Sequence, residues 1–408
     1  MSGLLFRNVA ELVTGTSAGS DGILRGASLA VVDGRVAEVG PHETLRGRFA
    51  GSVQVDCGGG VLTPGFVDSH THAVFGGWRA AEYALRARGV PYMEIARQGG
   101  GINASVRDVR ARSEEELVEL TRARLRGMLR LGSTTVEVKS GYGLETAAEL
   151  KQLRVIRTLS QEGARGALPE LVATFLGAHE FPPEFAERRD DYVALVEHEM
   201  IPAVAAEELA TFCDVFMEPG VFTATQAHRV LAAALRHGLI PKLHADELKN
   251  SEGAALAVRL GAASADHLGQ VSRAGIQALA GSGTVATLLP ATLFFLGHRD
   301  YAPARRLLDA GATIALATDF NPGSAPSPSM PLVLTMACSQ MGLEPLEAIV
   351  AATAGGARAL RIQDGRGTLR RGAPADILLW SVPDHREIPY HFGAPPLGGV
   401  WRRGVRIP

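Results

Sequence analysis

Two histidines one residue apart, His70 and His72, follow the apolar run Val61-Leu62-Thr63-Pro64-Gly65-Phe66-Val67. In an extended strand residues i and i+2 project to the same face, so both imidazoles can reach one point. Imidazole suits zinc, iron and related ions, which makes a metal site the chemistry to look for. A lone pair of this kind can equally be a solvated strand end, so further donors must decide. Polar residues recur where later apolar runs end: Glu137, Lys139 and Tyr142; His179; Glu218; His244, Asp246 and Glu247; His267; Asp319 and Asn321. One run closes apolar, at Leu288-Leu289-Pro290. Ionisable groups seldom end a buried strand without pairing or a function. Four histidine-bearing strand ends and a final aspartate therefore favour a catalytic metal held by imidazoles and one carboxylate, with a position left for water. Structural zinc would normally close its shell with cysteines. The three present, Cys57, Cys213 and Cys338, are widely spaced and form no Cys-x-x-Cys pattern.

Elements able to position such residues can be read from the pattern. Apolar strands are expected at Phe66–His70, Thr134–Val138, Leu171–Leu176, Asp214–Met217, Pro241–Leu243, Ser264–His267, Thr284–Leu288 and Thr313–Ala317. Helical patterns separate most of them, for example 113–131, which opens with the capping-box string Ser113-Glu114-Glu115-Glu116. Eight strands in βα alternation predict a (β/α)8 TIM barrel over residues 61–365. A doubly wound open sheet is the alternative, but no Gly-x-Gly-x-x-Gly fingerprint follows the first strand. The first sixty residues read as short strands without a helix-length segment, with Asp33-Gly34 as a hairpin turn between 28–32 and 35–39. Strand texture returns at 375–380 and 399–405. Residues 1–60 and 366–408 are thus expected to form a small β-sandwich domain built from both termini. The Pro-rich stretch 321–328 is expected to be irregular.

Composition sets the remaining bounds. The 408 residues are 46% hydrophobic and 21% charged, as in ordinary soluble domains, and suffice for a large core. A formal charge of −2 gives no reason to expect a nucleic-acid or anionic-membrane partner. The N-terminus lacks a signal-peptide core, and no run approaches the roughly 20 apolar residues of a membrane span. With dispersed cysteines, this leads to the expectation of a cytoplasmic protein. Only four of the 41 basic residues are lysines, so a single arginine carries little weight by its type alone.

The strand-end set resembles the amidohydrolase superfamily: His70-Thr71-His72 after the first strand, His244 after the fifth, His267 after the sixth and Asp319 after the eighth. Longer strings, among them 136–143 (Val-Glu-Val-Lys-Ser-Gly-Tyr-Gly), 175–179 (Phe-Leu-Gly-Ala-His) and 318–323 (Thr-Asp-Phe-Asn-Pro-Gly), are similar to the branch that opens a cyclic amide. The resemblance implies hydrolysis of 4-imidazolone-5-propanoate to N-formimidoyl-L-glutamate. It implies one metal ion, zinc or iron, on His70, His72, His244 and Asp319, and a homodimer acting on this small molecule. Arg79 then matches the carboxylate-binding arginine, and Tyr142 and His179 match further substrate positions. Asn321, Gly323 and Ser324 match contacts to the ring-opened product, with serine where threonine is usual. Glu247, His267 and Asp319 are the candidates for moving protons, with Glu247 also expected to bond a ring nitrogen. Lys139 reads either as a direct participant or as a buried partner of Glu137 or Asp319. A metal-dependent deaminase of a purine or pyrimidine would share the metal shell, but a neutral base offers no carboxylate for Arg79. A non-catalytic barrel scaffold would not require all four ligands to be present.

Overall fold

A computed structural model describes residues 3–90, 94–95, 99–163 and 166–408. Eight consecutive parallel strands form a nearly closed barrel: Phe66–Asp68, Ser133–Lys139, Glu170–Ala178, Phe212–Met217, Ile240–Pro241 with Leu243–Ala245, Ser264–His267, Val285–Leu288 and Ile314–Leu316. Each pairs with the next, so sequence order is spatial order. The second strand is buried along its whole length, as expected where helices cover one face of a parallel sheet and the barrel interior the other. The fifth is split at Lys242, whose amide still reaches the fourth strand at Cys213 O, 2.8 Å away.

The first and last strands meet only beyond their formal ends. Thr71 and Phe320 form a parallel bridge, His72 N donates to Phe320 O at 2.9 Å, and Asp319 N donates to His70 O at 3.0 Å. The seam of the barrel is thus made by the residues that carry the expected metal ligands.

Helices follow the strands as the periodicity suggests. The helix Glu114–Arg130 opens on Ser113, whose hydroxyl caps Glu116 N while the Glu116 carboxylate returns to Ser113 N. The helix Thr146–Gly163 packs against the third strand and the helix Glu114–Arg130, and buries Glu149 and Gln152.

Both termini build one eight-stranded mixed sheet. Its central strand, Val53–Pro64, pairs parallel with Leu4–Val13 and antiparallel with Ile377–Trp380, which joins the two ends of the chain. The expected hairpin is present as Ala27–Val32 and Arg35–Pro41. Asp33 and Gly34 both lie at positive φ, as a two-residue I′ turn requires. One short helix, His42–Arg48, interrupts the N-terminal strands, where none was expected. Seven residues are too few to show helical periodicity. Trp380 ties sheet to barrel: its indole N–H donates to Thr63 at 2.9 Å and its ring lies 5.9 Å from that of Phe66. Residues 321–329 have no regular structure.

Candidate active site

Four histidines and one aspartate converge at the C-terminal mouth of the barrel. His70 Nε2 lies 3.3 Å from His72 Nε2, and Asp319 Oδ1 lies 3.5 Å from the first and 3.4 Å from the second. Nitrogens of His70, His244 and His267 also lie within 4.8 Å of one another. All five residues are buried. Bond lengths of about 2.0–2.1 Å around a tetrahedral ion place neighbouring donors roughly 3.4 Å apart, and the His70, His72 and Asp319 atoms have that spacing. His72 Nδ1 and both nitrogens of His267 lack a hydrogen-bond partner among the described residues. Buried ring nitrogens left without a partner are costly, and a cation between the facing His70 and His72 Nε2 atoms and Asp319 Oδ1 would take up lone pairs from all three. The donor set therefore fits a bound metal ion.

The electrostatics keep these donors available. Burial, reinforced by the charge of Lys139, pushes the His70 imidazole well below its ordinary value, and burial lowers His72 as well. Burial also takes His267 down to about 3. Neutral imidazoles offer lone pairs, as a metal ligand must. Burial alone would raise the Asp319 carboxyl, but the hydrogen bond with His72 and the nearby imidazoles hold it below the carboxylate range.

Beneath the ring lies a layer of fully buried charge. His70 Nδ1 contacts Asp266 Oδ2 at 2.6 Å, and His244 Nδ1 lies 3.0 Å from Asp214 Oδ2. Each carboxylate turns the other nitrogen of its histidine toward the metal position. Lys139 Nζ reaches Asp214 at 2.8 Å and Glu137 at 3.0 Å, and Lys242 Nζ reaches Glu137 at 2.9 Å and Ser69 O at 3.0 Å. Lys139 is thus ion-paired, to Glu137 as one reading expected and to Asp214, rather than to Asp319. The roles of Asp214, Asp266 and Lys242 were not read from sequence. Each sits inside a barrel strand, where a polar residue signals an inward-facing partner visible only once the strands are assembled.

Asp319 and His267 adopt positive φ, 52° and 79°, which strains non-glycine residues by about 1–3 kcal/mol each. The strand-eight turn is fixed by Asp68, which accepts from Thr318 N at 3.0 Å and Thr318 Oγ1 at 2.6 Å. Thr292, just past the apolar end of strand seven, donates to Asp319 Oδ2 at 2.5 Å.

The remaining site residues surround this centre. Glu247 Oε2 is 3.5 Å from His267 Nδ1. Burial, with the charges of Asp319 and Glu218, pushes the Glu247 carboxyl well above its ordinary range, which favours its protonated form. Glu218 accepts from Lys249 N at 2.8 Å and Asp246 caps Gly253 and Ala254, so both shape the loop rather than face the centre. The His179 ring stacks on His72 at 5.1 Å, with Nδ1 on Gly141 O at 3.0 Å. Tyr142 is buried 5.5 Å from the His179 ring and 6.0 Å from the His72 ring.

Arg79 closes the pocket. Its Nε and Nη1 are buried without a hydrogen-bond partner among the described residues, and the Glu82 carboxylate is 3.9 Å from Nε. A guanidinium so placed invites an anion. The head group lies against Gly323, where an added Cβ would fall 1.1 Å from Nη2. Asn321 makes its hydrogen bonds within its own turn. Its Oδ1 accepts from Gly323 N and Ser324 N at 2.8 Å each, and its Nδ2 donates to Asp319 O at 2.7 Å and Ser324 Oγ at 2.9 Å. The amide builds the turn that carries Gly323 and Ser324.

An eight-stranded parallel barrel with a His/Asp ring at its mouth defines the class of metal-dependent amidohydrolases. Residues 61–406 match the profile described as "Amidohydrolase family", and the chain belongs to that family. Its relatives narrow the class. An imidazolonepropionase of Symbiobacterium thermophilum is 48% identical over 389 residues, 94% of this chain and 91% of the relative. The imidazolonepropionase of Myxococcus xanthus is 46% identical over 96% and 93% of the two chains. Among solved structures, an adenosine deaminase from Xanthomonas campestris with bound zinc superposes with a TM-score of 0.70 at 22% identity, covering 99% of this chain and 92% of that one. That likeness concerns the fold.

Proposed function

We propose that the chain hydrolyses the ring amide of 4-imidazolone-5-propanoate to N-formimidoyl-L-glutamate, a step of histidine degradation. The observation that carries this is a barrel seam that joins a His/Asp ring to Arg79, two of whose guanidinium nitrogens are buried without a hydrogen-bond partner among the described residues. A hydrolase of a neutral nucleobase has no use for the second. Relatives named imidazolonepropionase, at 43–48% identity over most of the chain, support the same reading.

His70, His72, His244 and Asp319 would hold one ion, zinc or iron. When bound it supplies a water acidified toward pKa about 7 and a polarised carbonyl. The protein does the rest. Arg79 grips the propanoate, and Tyr142 and His179 line the ring beside His72. Asn321, Gly323 and Ser324 form the wall opposite, nearest the ring-opened product. As the water oxygen joins the carbonyl carbon and the C–N bond breaks, the water loses a proton and the ring nitrogen gains one. His267, neutral and free of hydrogen bonds, can accept the first, with Asp319 as the second acceptor. Glu247, whose burial favours the protonated form, supplies a proton to the nitrogen. Lys139 stays within the ion-pair layer.

We further read a cytoplasmic homodimer. The first part draws on the dispersed free cysteines and on the absence, among the described residues, of a helix long and apolar enough to cross a membrane. The second draws on the family resemblance. The reading is tested by the loss of imidazolone ultraviolet absorbance, with metal content measured on the same sample. Turnover that tracks metal occupancy supports it. No turnover by metal-replete protein, with ammonia released from adenine, guanine or cytosine instead, overturns it in favour of a deaminase.

A further inference from the structure

The segment 141–144 that carries Tyr142 belongs to no helix or strand, yet almost all its backbone groups are taken, and all by side chains. Glu149, on the helix Thr146–Gly163, accepts from Gly141 N at 3.0 Å and from Gly143 N and Leu144 N at 2.8 Å each. Gln152, one turn on, accepts from Tyr142 N at 3.0 Å and donates to Val74 O at 2.8 Å. Arg110 donates to Gly143 O at 2.7 Å and Leu144 O at 3.0 Å, and His179 Nδ1 donates to Gly141 O. Gly141 and Leu144 lie at positive φ, 104° and 51°, a shape the segment would not hold unaided.

Glu149 is fully buried and forms no ion pair among the described residues. A buried carboxylate in a helix is expensive, and burial pushes it above its ordinary range. Helix packing alone would be served as well by leucine. The residue makes sense if the exact placement of the segment matters. Gln152 adds a second constraint, because Val74 lies two residues beyond His72. One side chain thus locks the Tyr142 backbone to the turn that bears the metal-ligand pair.

We infer that Glu149 and Gln152 are positioning residues for substrate binding, holding Tyr142 and His179 in register with His72. The inference rests on the proposed substrate role of Tyr142. Neither residue faces the reacting atoms, so their loss should loosen binding and leave the chemical step intact.

The experiment compares Gln152→Met, Glu149→Gln and Tyr142→Phe with the parent holoenzyme, reading KM, kcat, metal content and thermal midpoint. Gln152→Met keeps the length and burial of the side chain, so the fold should survive even if Glu149→Gln misfolds. The expected result is a KM raised about ten- to a hundredfold, as for a misplacement of about 1 Å, with kcat within about twofold and metal content unchanged. In a Tyr142→Phe background the further rise caused by Gln152→Met should shrink, because both act through one contact. A raised KM in Tyr142→Phe with parental KM in Gln152→Met overturns the inference and spares the role of Tyr142. So does full additivity in the double variant. Parental KM in Tyr142→Phe overturns both. A lowered midpoint or kcat with unchanged KM marks a merely structural role and also overturns the inference.

Discussion

Gly323→Ala isolates the carboxylate anchor from the stability of the fold. An added Cβ would stand 1.1 Å from Arg79 Nη2, 2.2 Å from Cζ and 2.6 Å from Nε, so the guanidinium must leave its seat. Nothing else need move, because the clash is with the far end of a flexible side chain. Gly323 does not lie at positive φ, so alanine brings no backbone strain and should stabilise by about 0.4–1 kcal/mol through the unfolded chain. Charge-assisted hydrogen bonds contribute about 1.5–3 kcal/mol each. A displaced guanidinium that keeps part of its attraction should therefore forfeit about 2–3 kcal/mol of substrate binding. At 1.4 kcal/mol per decade this raises KM roughly 30- to 150-fold, with kcat nearly unchanged because the propanoate is remote from the bond broken. Steady-state loss of the imidazolone absorbance gives both constants, and calorimetry gives the midpoint. Arg79→Ala should raise KM at least as much, and the double variant should be no worse than Arg79→Ala alone. A parental KM in Gly323→Ala would refute the reasoning, as would a fall in kcat equal to that in kcat/KM.

His72→Ala should lose its metal together with activity, and near-stoichiometric metal by elemental analysis would contradict its place in the shell. Glu247→Gln should keep its metal but lose about 10²–10⁴-fold in kcat. The raised Glu247 carboxyl is protonated below its own pKa, so the parent rate should fall as pH climbs through that value. The Gln variant should lack this alkaline limb, and a persistent limb would assign the donor elsewhere. Lys139→Met leaves Asp214 and Glu137 buried without their shared cation, which should destabilise by about 3–5 kcal/mol. Equilibrium unfolding tests that, and an unchanged stability would mean the layer reorganises around Lys242.

What was legible in the sequence divides along a physical line. His70, His72, His244, His267 and Asp319 announced themselves because chemistry-bearing types stood at the ends of apolar runs. The structure gathers them in two triads that share His70: with His244 and His267, and with His72 and Asp319. Glu149, Gln152, Asp214 and Asp266 did not. A polar residue in the middle of a buried element gains meaning from a partner 8 to 196 positions away, as Glu149 does from Gly141 and Asp266 from His70. No local pattern encodes such a pair. Asn321 shows the converse. The resemblance placed it against the product, and the structure shows its amide bonds made within its own turn, a role that no local pattern announced.

The barrel seam explains how the His/Asp ring comes to be joined to Arg79. Strands one and eight are joined by their loops: Thr71 bridges Phe320, Asp319 N bonds His70 O, and Arg79 N approaches Pro322 O at 3.4 Å. His70, His72 and Asp319 thus belong to the same backbone zipper that seats Arg79 on Gly323. Asn321 stiffens it midway by binding Asp319 O on one side and Gly323 N on the other. The placement of the turn that carries Arg79 relative to the His/Asp ring is therefore set by backbone hydrogen bonds. A site built this way should discriminate by arm length. An acid arm one methylene shorter cannot meet Arg79 while its ring amide stays at the metal, and one methylene longer must buckle. Asn321→Ala, by loosening the zipper between its two halves, should weaken that discrimination more than it weakens binding of the propanoate itself.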